Sequence, residues 1–306
     1  MILVSYRSRG SDGPWHAGIV HEQALVDASA YSLSRTDAAV GQAGLSVRTL
    51  LERGRPYMEE VFAWARAQFE GSRPIYRGEF LPLDTLELGP PVPDPDKILC
   101  LGVNYRAHAA EAQQELPAVP MFFAKFRNSL IGPTGPILLP RVSTQIDYEG
   151  ELAVIIGTRC KDVAEPEALQ YVAGYSIMND VTARDIQLQT SQWTAGKALD
   201  TFAPMGPGMV LASDIPDPQT LMLTTRVNGQ VVQHESTANM IFSVATSIAF
   251  LSSLMTLEPG DIIATGTPSG VGFKRTPPLF LQEGDVVEVE IEHIGRIRNP
   301  VMHGHW

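Results

Sequence analysis

Cysteine is nearly missing from this chain of 306 residues: Cys100 and Cys160 are the two it has, too few for a disulfide framework or a cysteine zinc cluster. A reducing, cytoplasmic setting is therefore the expectation. Basic charge is also short, with 23 Lys and Arg against 34 Asp and Glu and a formal net charge of −11. That balance argues against a nucleic-acid partner or an anionic membrane surface. No apolar run approaches the length that spans a membrane, and Met1–Arg7 breaks into charge too early for a signal peptide. Motifs are missing too. There is no G-x-G-x-x-G, no P-loop lysine motif, no G-x-S-x-G elbow and no H-E-x-x-H, although His234-Glu235 begins like one.

What is present is an ordinary globular composition, 44% hydrophobic, in a chain long enough for one large domain or a large and a small one. Residues 1 to about 35 alternate short apolar pieces with Gly and Asp turns, which predicts a small sheet. Ser46 caps a helical pattern through Leu51, interrupted at Pro56 and resumed to Phe69. The proline-rich Gly89–Asp96 continues neither helix nor sheet, so a boundary is placed there, giving a small segment 1–93 and a larger one 97–306. Beyond it, Lys97–Val103 is a core strand, Asn104–Ala112 is prone to helix, and 171–180 is an apolar run ending in Asn179-Asp180. A short helix is expected over Thr182–Gln189, a tight hairpin at Asn228-Gly229, and an amphipathic helix over Ile241–Met255. Gly260-Asp261 and Gly284-Asp285 each turn into a strand. Many short strands with few helices favour a β-rich fold, a barrel or rolled sheet.

The chain is organised around Asp147–Gly157. Leu152–Ile156 is apolar, β-branched and closed by glycine, as a buried strand should be, and Glu149 and Glu151 stand two residues apart at its entrance. Strand alternation points both carboxylates to one side, where like charges repel unless a cation sits between them. A solvated strand edge accounts for the same pair. Asp180 ends another apolar run, as a helix cap or as a third hard oxygen donor suited to Mg²⁺, Mn²⁺ or Ca²⁺.

His108 and Glu111, at i and i+3, share a helix face, either as a solvated pair or as an imidazole oriented by a carboxylate for base work on a lid. Lys197 is an exposed loop lysine or a cation placed to hold an anionic oxygen. Gly266–Gly272 is a turn, or a nest of backbone N–H groups for a carboxylate.

Taken in order, Gly102–Tyr105 with His108 and Glu111, Asp147–Leu152, Asn179–Asp185, Lys197–Pro207 and Thr265–Gly272 resemble the fumarylacetoacetate hydrolase superfamily over roughly 97 to 301. The resemblance implies an α+β, β-rich architecture: a mixed β-roll catalytic domain preceded by a small α/β N-terminal domain, in a homodimer. It implies Mg²⁺ or Mn²⁺ bound by Glu149, Glu151 and Asp180, and a His108–Glu111 dyad on a lid. Lys197 is then the substrate-holding lysine, with Gln187, Thr267 and Arg106 as substrate contacts. Thr267 falls where a substrate carboxylate or carbonyl is received.

The expected substrate is a small anionic 2-oxo acid chelating the ion through its carboxylate and 2-oxo oxygens. The first expectation is hydrolysis of a carbon–carbon bond in an acylpyruvate-like compound by water that His108 deprotonates. Decarboxylation of oxaloacetate or a related 2-oxo acid, enol–keto tautomerisation and dienedioate isomerisation run through the same enolate and stay open. A non-catalytic binding protein with an incidental cation site is the remaining class.

Overall fold

The computed structural model of the protein describes residues 1–34, 44–71 and 80–304, so that 305–306 of the expected catalytic segment lie outside it. Its strands form a 12-stranded sheet and a five-stranded sheet among the described residues, with a small two-stranded ladder between Ile146–Asp147 and Thr182–Ala183. The middle of the large sheet is the antiparallel run Ala203–Leu211, Val172–Asn179, Gly150–Ile156, Ile262–Ala264, with Ile98–Gly102 following in parallel. At its other end strand Ile2–Ser8 pairs with Ala203–Leu211 and leads on to His16–His21 and Ala24–Asp27. The architecture is α+β and β-rich.

Gly150–Ile156 is buried at every residue because both of its faces are covered, which explains an apolar run without polar alternation. Leu152, Val154 and Ile156 enter one core with Leu223, Val289 and Ile291 of the five-stranded sheet. Ala153 and Ile155 enter a second core with Leu50, Leu51, Val61 and Phe62 from helices Val47–Glu52 and Arg55–Phe69. Ser46 accepts the Thr49 N–H as the first helix's cap, as the sequence predicts, but the interruption falls at Arg53-Gly54 rather than Pro56, which sits in the first turn of Arg55–Phe69 where its missing N–H costs nothing.

Two expected helices are shorter than their patterns. Val244–Leu254 begins after Ser243, whose side chain caps it by accepting the Thr246 N–H, while Ile241 and Phe242 donate their N–H groups to Asn104 ahead of the helix. Over Thr182–Gln189 only Arg184–Gln187 is helical, because Thr182 and Ala183 pair with Asp147 and Ile146. Asp180 is consequently not a helix cap. The hairpin turns at Asn228 and Gly229, both at positive φ. No helix among the described residues is long and apolar enough to cross a membrane.

Candidate active site

The strand pairing assembles the site. Gly150 lies opposite Asn179 in the ladder, so Glu149 and Asp180 each sit one residue past the paired position, and the Asp180 N–H donates to the Glu149 carbonyl at 2.8 Å. The Asn179 side chain in turn accepts the Glu149 N–H at 2.9 Å. Glu149, Glu151 and Asp180 therefore converge, with one carboxylate oxygen from each lying within 4.8 Å of the others. All three are buried, at 5%, 1% and 1% exposure, which removes the solvated-edge alternative for the glutamate pair.

Three buried cations hold two of these acids. Lys197 Nζ donates to Glu149 Oε2 at 2.6 Å and to Asp180 Oδ2 at 2.7 Å, Lys125 Nζ donates to Asp180 Oδ1 at 2.6 Å, and Arg184 pairs with Glu149. Lys197 is thus no exposed loop residue. Burial works against both charges of the pair, yet Asp180 and Glu149 keep the Lys197 ammonium above its ordinary value. Burial alone would push the Glu149 carboxyl up, but Arg184 and Lys197 outweigh it and hold it down at about 2. Glu151 differs. Among the described residues no cation pairs with it; its carboxylate accepts the Gly266 N–H at 2.8 Å, and burial together with Asp180 and Glu149 pushes it well above the carboxylate range. A buried carboxylate without a counter-charge, one of three hard oxygen donors, fits a divalent ion such as Mg²⁺ or Mn²⁺. Carboxylate oxygens accept more than one partner, so the lysine contacts do not close the set.

His108 and Glu111 share the short helix Arg106–Ala112, with His108 Nδ1 3.5 Å from Glu111 Oε2. That approach falls short of a hydrogen bond, and His108 Nδ1 is buried without one. The Glu111 carboxylate is instead held by the Gly270 N–H, at 3.0 and 3.1 Å to its two oxygens. The glycine-rich stretch is a nest for the protein's own acids: Gly266 serves Glu151, Gly270 serves Glu111, and the N–H groups of Gly272 and Phe273 serve Asp147 at 2.7 and 3.0 Å.

A small, partly open cavity of about 50 Å³ lies over the carboxylates and is lined by His108, Glu149, Glu151, Arg184, Gln187, Lys197 and Thr267, with Phe123 and Trp193 as an aromatic wall. It has room for a few waters, so a larger ligand requires its lining to give way. Arg106, on the same helix as His108, is exposed and outside this lining. A larger cavity of about 960 Å³, between Arg7, Trp15 and the loop Gly132–Pro136, holds none of the carboxylates.

Sequence reasoning passed over Lys125, Arg184, Asp147 and Gln233. Arg184 donates to Asp147 and to Gln187 Oε1 and lies over the Phe273 ring at 4.3 Å. Asp147 lies inside a run that is buried throughout and Arg184 closes one, so each is a charge for which burial demands a partner.

The fold and this constellation define the class: the chain belongs to the fumarylacetoacetate hydrolase family, whose C-terminal domain model matches residues 97–302. Among curated relatives, the oxaloacetate tautomerase fahd2, mitochondrial, of Xenopus laevis is 38% identical over 306 residues, 99% of this chain and 90% of that protein. Maleylpyruvate hydrolase from Sphingobium sp. SYK-6, solved in complex with manganese(II) ion and pyruvate, is 31% identical with a TM-score of 0.78, each chain fully covered. The crystal structure of 2-hydroxyhepta-2,4-diene-1,7-dioate isomerase from Mycobacterium marinum is 32% identical with a TM-score of 0.72, again over the whole of both chains.

Proposed function

We propose that this chain is a divalent-metal-dependent enzyme that interconverts the enol and keto forms of a small 2-oxo acid of the oxaloacetate type. The observation that carries the reading is the convergence of Glu149, Glu151 and Asp180 under a helix bearing His108. The 38% identity to an oxaloacetate tautomerase, against 31% and 32% to the hydrolase and the isomerase over similar lengths, supports this outcome.

Glu149, Glu151 and Asp180 are the residues that would hold Mg²⁺ or Mn²⁺. When bound, the ion supplies Lewis-acid charge opposite the oxygens of the enolate. The rest falls to the chain. Lys197 and Arg184 balance Glu149, Asp180 and Asp147 and so reduce the repulsion that an anionic substrate meets at the cavity they line. Gln187 offers its side-chain N–H groups to the cavity, since its Oε1 already accepts from Arg184. In the reaction one proton joins the carbon beside the carbonyl as another leaves the enol oxygen. His108, with Nδ1 3.5 Å from Glu111, serves the carbon end, and its contact with Glu111 tightens when substrate is bound. The exposed Arg106 becomes a substrate contact only through a movement of its helix.

Hydrolysis of a carbon–carbon bond is the second reading, supported by the maleylpyruvate hydrolase of the same fold. There His108 deprotonates the attacking water. The active unit is proposed to be a homodimer, which size-exclusion chromatography with light scattering would check.

The decisive assay follows the ultraviolet absorbance of enol-oxaloacetate, and a panel of 2,4-dioxo acids, with Mg²⁺, with Mn²⁺ and with chelator. Metal-dependent loss of the enol signal without pyruvate release is expected. Full activity in chelator, or no turnover of any 2-oxo acid, sinks the reading.

A further inference from the structure

Lys125 closes strand Met121–Lys125, outside every motif that marks the site, and its side chain has no solvent exposure. Its Nζ donates to Asp180 Oδ1 at 2.6 Å and to the Val181 carbonyl at 3.2 Å. One ammonium thus holds both the carboxylate and the main chain beside it, which ties the side-chain torsion of Asp180 to the turn that carries it.

The second oxygen of Asp180, Oδ2, accepts from Lys197 at 2.7 Å. Of the two ammoniums only Lys197 lines the cavity, so Oδ2 is the oxygen on the cavity side. Lys197 also spans to Glu149, whereas Lys125 pairs with no other acid among the described residues. By charge alone each ammonium opposes a divalent ion, but their positions separate them. Without Lys125, Asp180 would keep Lys197 as its one paired cation, and its carboxylate would be free to turn both oxygens toward that ammonium. An ion would then have to displace a stronger contact.

We infer that Lys125 is a positioning residue for the metal centre: by holding Oδ1 and the Val181 carbonyl, it keeps Oδ2 of Asp180 presented beside Glu149 and Glu151 for a divalent cation. A buried positive charge here favours the binding of another, because what it contributes is the aim of a ligand. The inference rests on the reading of the three acids as a metal centre and names the residue that holds the third of them in place.

The test is Mn²⁺ calorimetry without substrate on the wild-type chain, Lys125→Met and Lys197→Met, with folding checked by circular dichroism. Lys125→Met should weaken Mn²⁺ binding about 10- to 100-fold, the range seen when a partner of a metal ligand is lost, whereas Lys197→Met should tighten it. Opposite signs mark positioning, because the loss of positive charge alone would tighten both. Affinity equal to or above wild type in folded Lys125→Met overturns the inference and leaves the metal centre standing. Weakening in both variants overturns it as well, since the two lysines would then act alike. If Lys125→Met does not fold, the wild-type chain still decides: it has five lysines, so nitrogen labelling of lysine resolves the buried ammoniums by magnetic resonance. The Lys125 ammonium should stay protected from solvent exchange when Mg²⁺ is added, and loss of that protection overturns the inference. Wild-type protein that binds no Mn²⁺ overturns the metal centre and the inference with it.

Discussion

Arg184 donates from Nε to Asp147 Oδ2 at 2.9 Å, and both side chains are sealed from solvent. Asp147 also accepts three backbone N–H groups, from Tyr148, Gly272 and Phe273, so one carboxylate ties the guanidinium to the loop that closes the site. Removing the acid leaves Arg184 buried with fewer counter-charges. Asp147→Ala should lower the unfolding free energy by about 3–5 kcal/mol in urea titrations. A loss below about 1 kcal/mol, the worth of a surface pair, would contradict the account.

Glu149 and Glu151 should separate under mutation. Glu149 counters Arg184 and Lys197, whereas Glu151 has neighbouring acids and no cation of its own among the described residues. Glu151→Gln should leave thermal stability of the metal-free chain within a few degrees of wild type, about the effect of 1 kcal/mol or less, while Glu149→Gln lowers it further. Both should weaken Mn²⁺ binding, measured by calorimetry, by at least the roughly 10- to 100-fold seen when even an outer partner of a ligand is lost. Unchanged Mn²⁺ affinity in either variant would count against the metal centre.

His108→Ala should cost on the order of 10² to 10⁴ in kcat with metal affinity retained. Glu111 works through His108 and also anchors on Gly270, whose φ of +103° and whose closeness to the Val232 carbonyl leave no place for a side chain. Gly270→Ala should therefore act twice, lowering stability by about 1–3 kcal/mol and lowering kcat through the displaced Glu111. Equal kcat in wild type and Gly270→Ala would show that the Gly270 contact does not place the helix.

Asp261 is buried, accepts the N–H groups of Lys97 and Glu258, and pairs with Lys97 Nζ at 2.8 Å; burial nonetheless outweighs these partners and raises its carboxyl. A carboxyl raised on folding binds its proton more tightly in the native chain. Its contribution to stability is present in full below the unfolded value and is lost as pH rises through the folded one. Asp261→Asn should be less stable at neutral pH, since an amide faces N–H donors, but should show a flatter stability profile across the acid range above pH 4, the neighbourhood of the unfolded value. An unaltered slope in denaturation at stepped pH would refute this.

Much of the site could be read in the sequence because its parts lie within short continuous stretches. The pair Glu149 and Glu151 followed from strand alternation, and the His108–Glu111 spacing from the helix. The partners of these groups were less legible because they come from pairing across the chain. Nothing local in Gln230–Ser236, an ordinary hairpin strand, shows that Gln233 will meet Gly150, 83 residues away. Lys125 closes an apolar strand and looks like its solvated end until Met121–Lys125 is laid beside Ile98–Gly102 and the ammonium reaches Asp180. The helix expected over Thr182–Gln189 was shortened for the same reason, since a ladder to Ile146–Asp147 claims its first turn.

The join between Ile2–Ser8 and Ala203–Leu211 carries one more consequence. Leu3 lies opposite Met209 in that ladder, both without solvent exposure, and the strand it covers begins six residues after Lys197. Trimming the chain back to the proline-rich stretch would bare the main-chain groups around Met209, while Ala203 and Pro204 stay paired with Leu130 and Ile131, and a short open edge of that kind is one on which other copies could add. The leading segment thus covers that edge as well as supporting the strand that follows the lysine, and its removal should show as unspecific aggregation in light scattering.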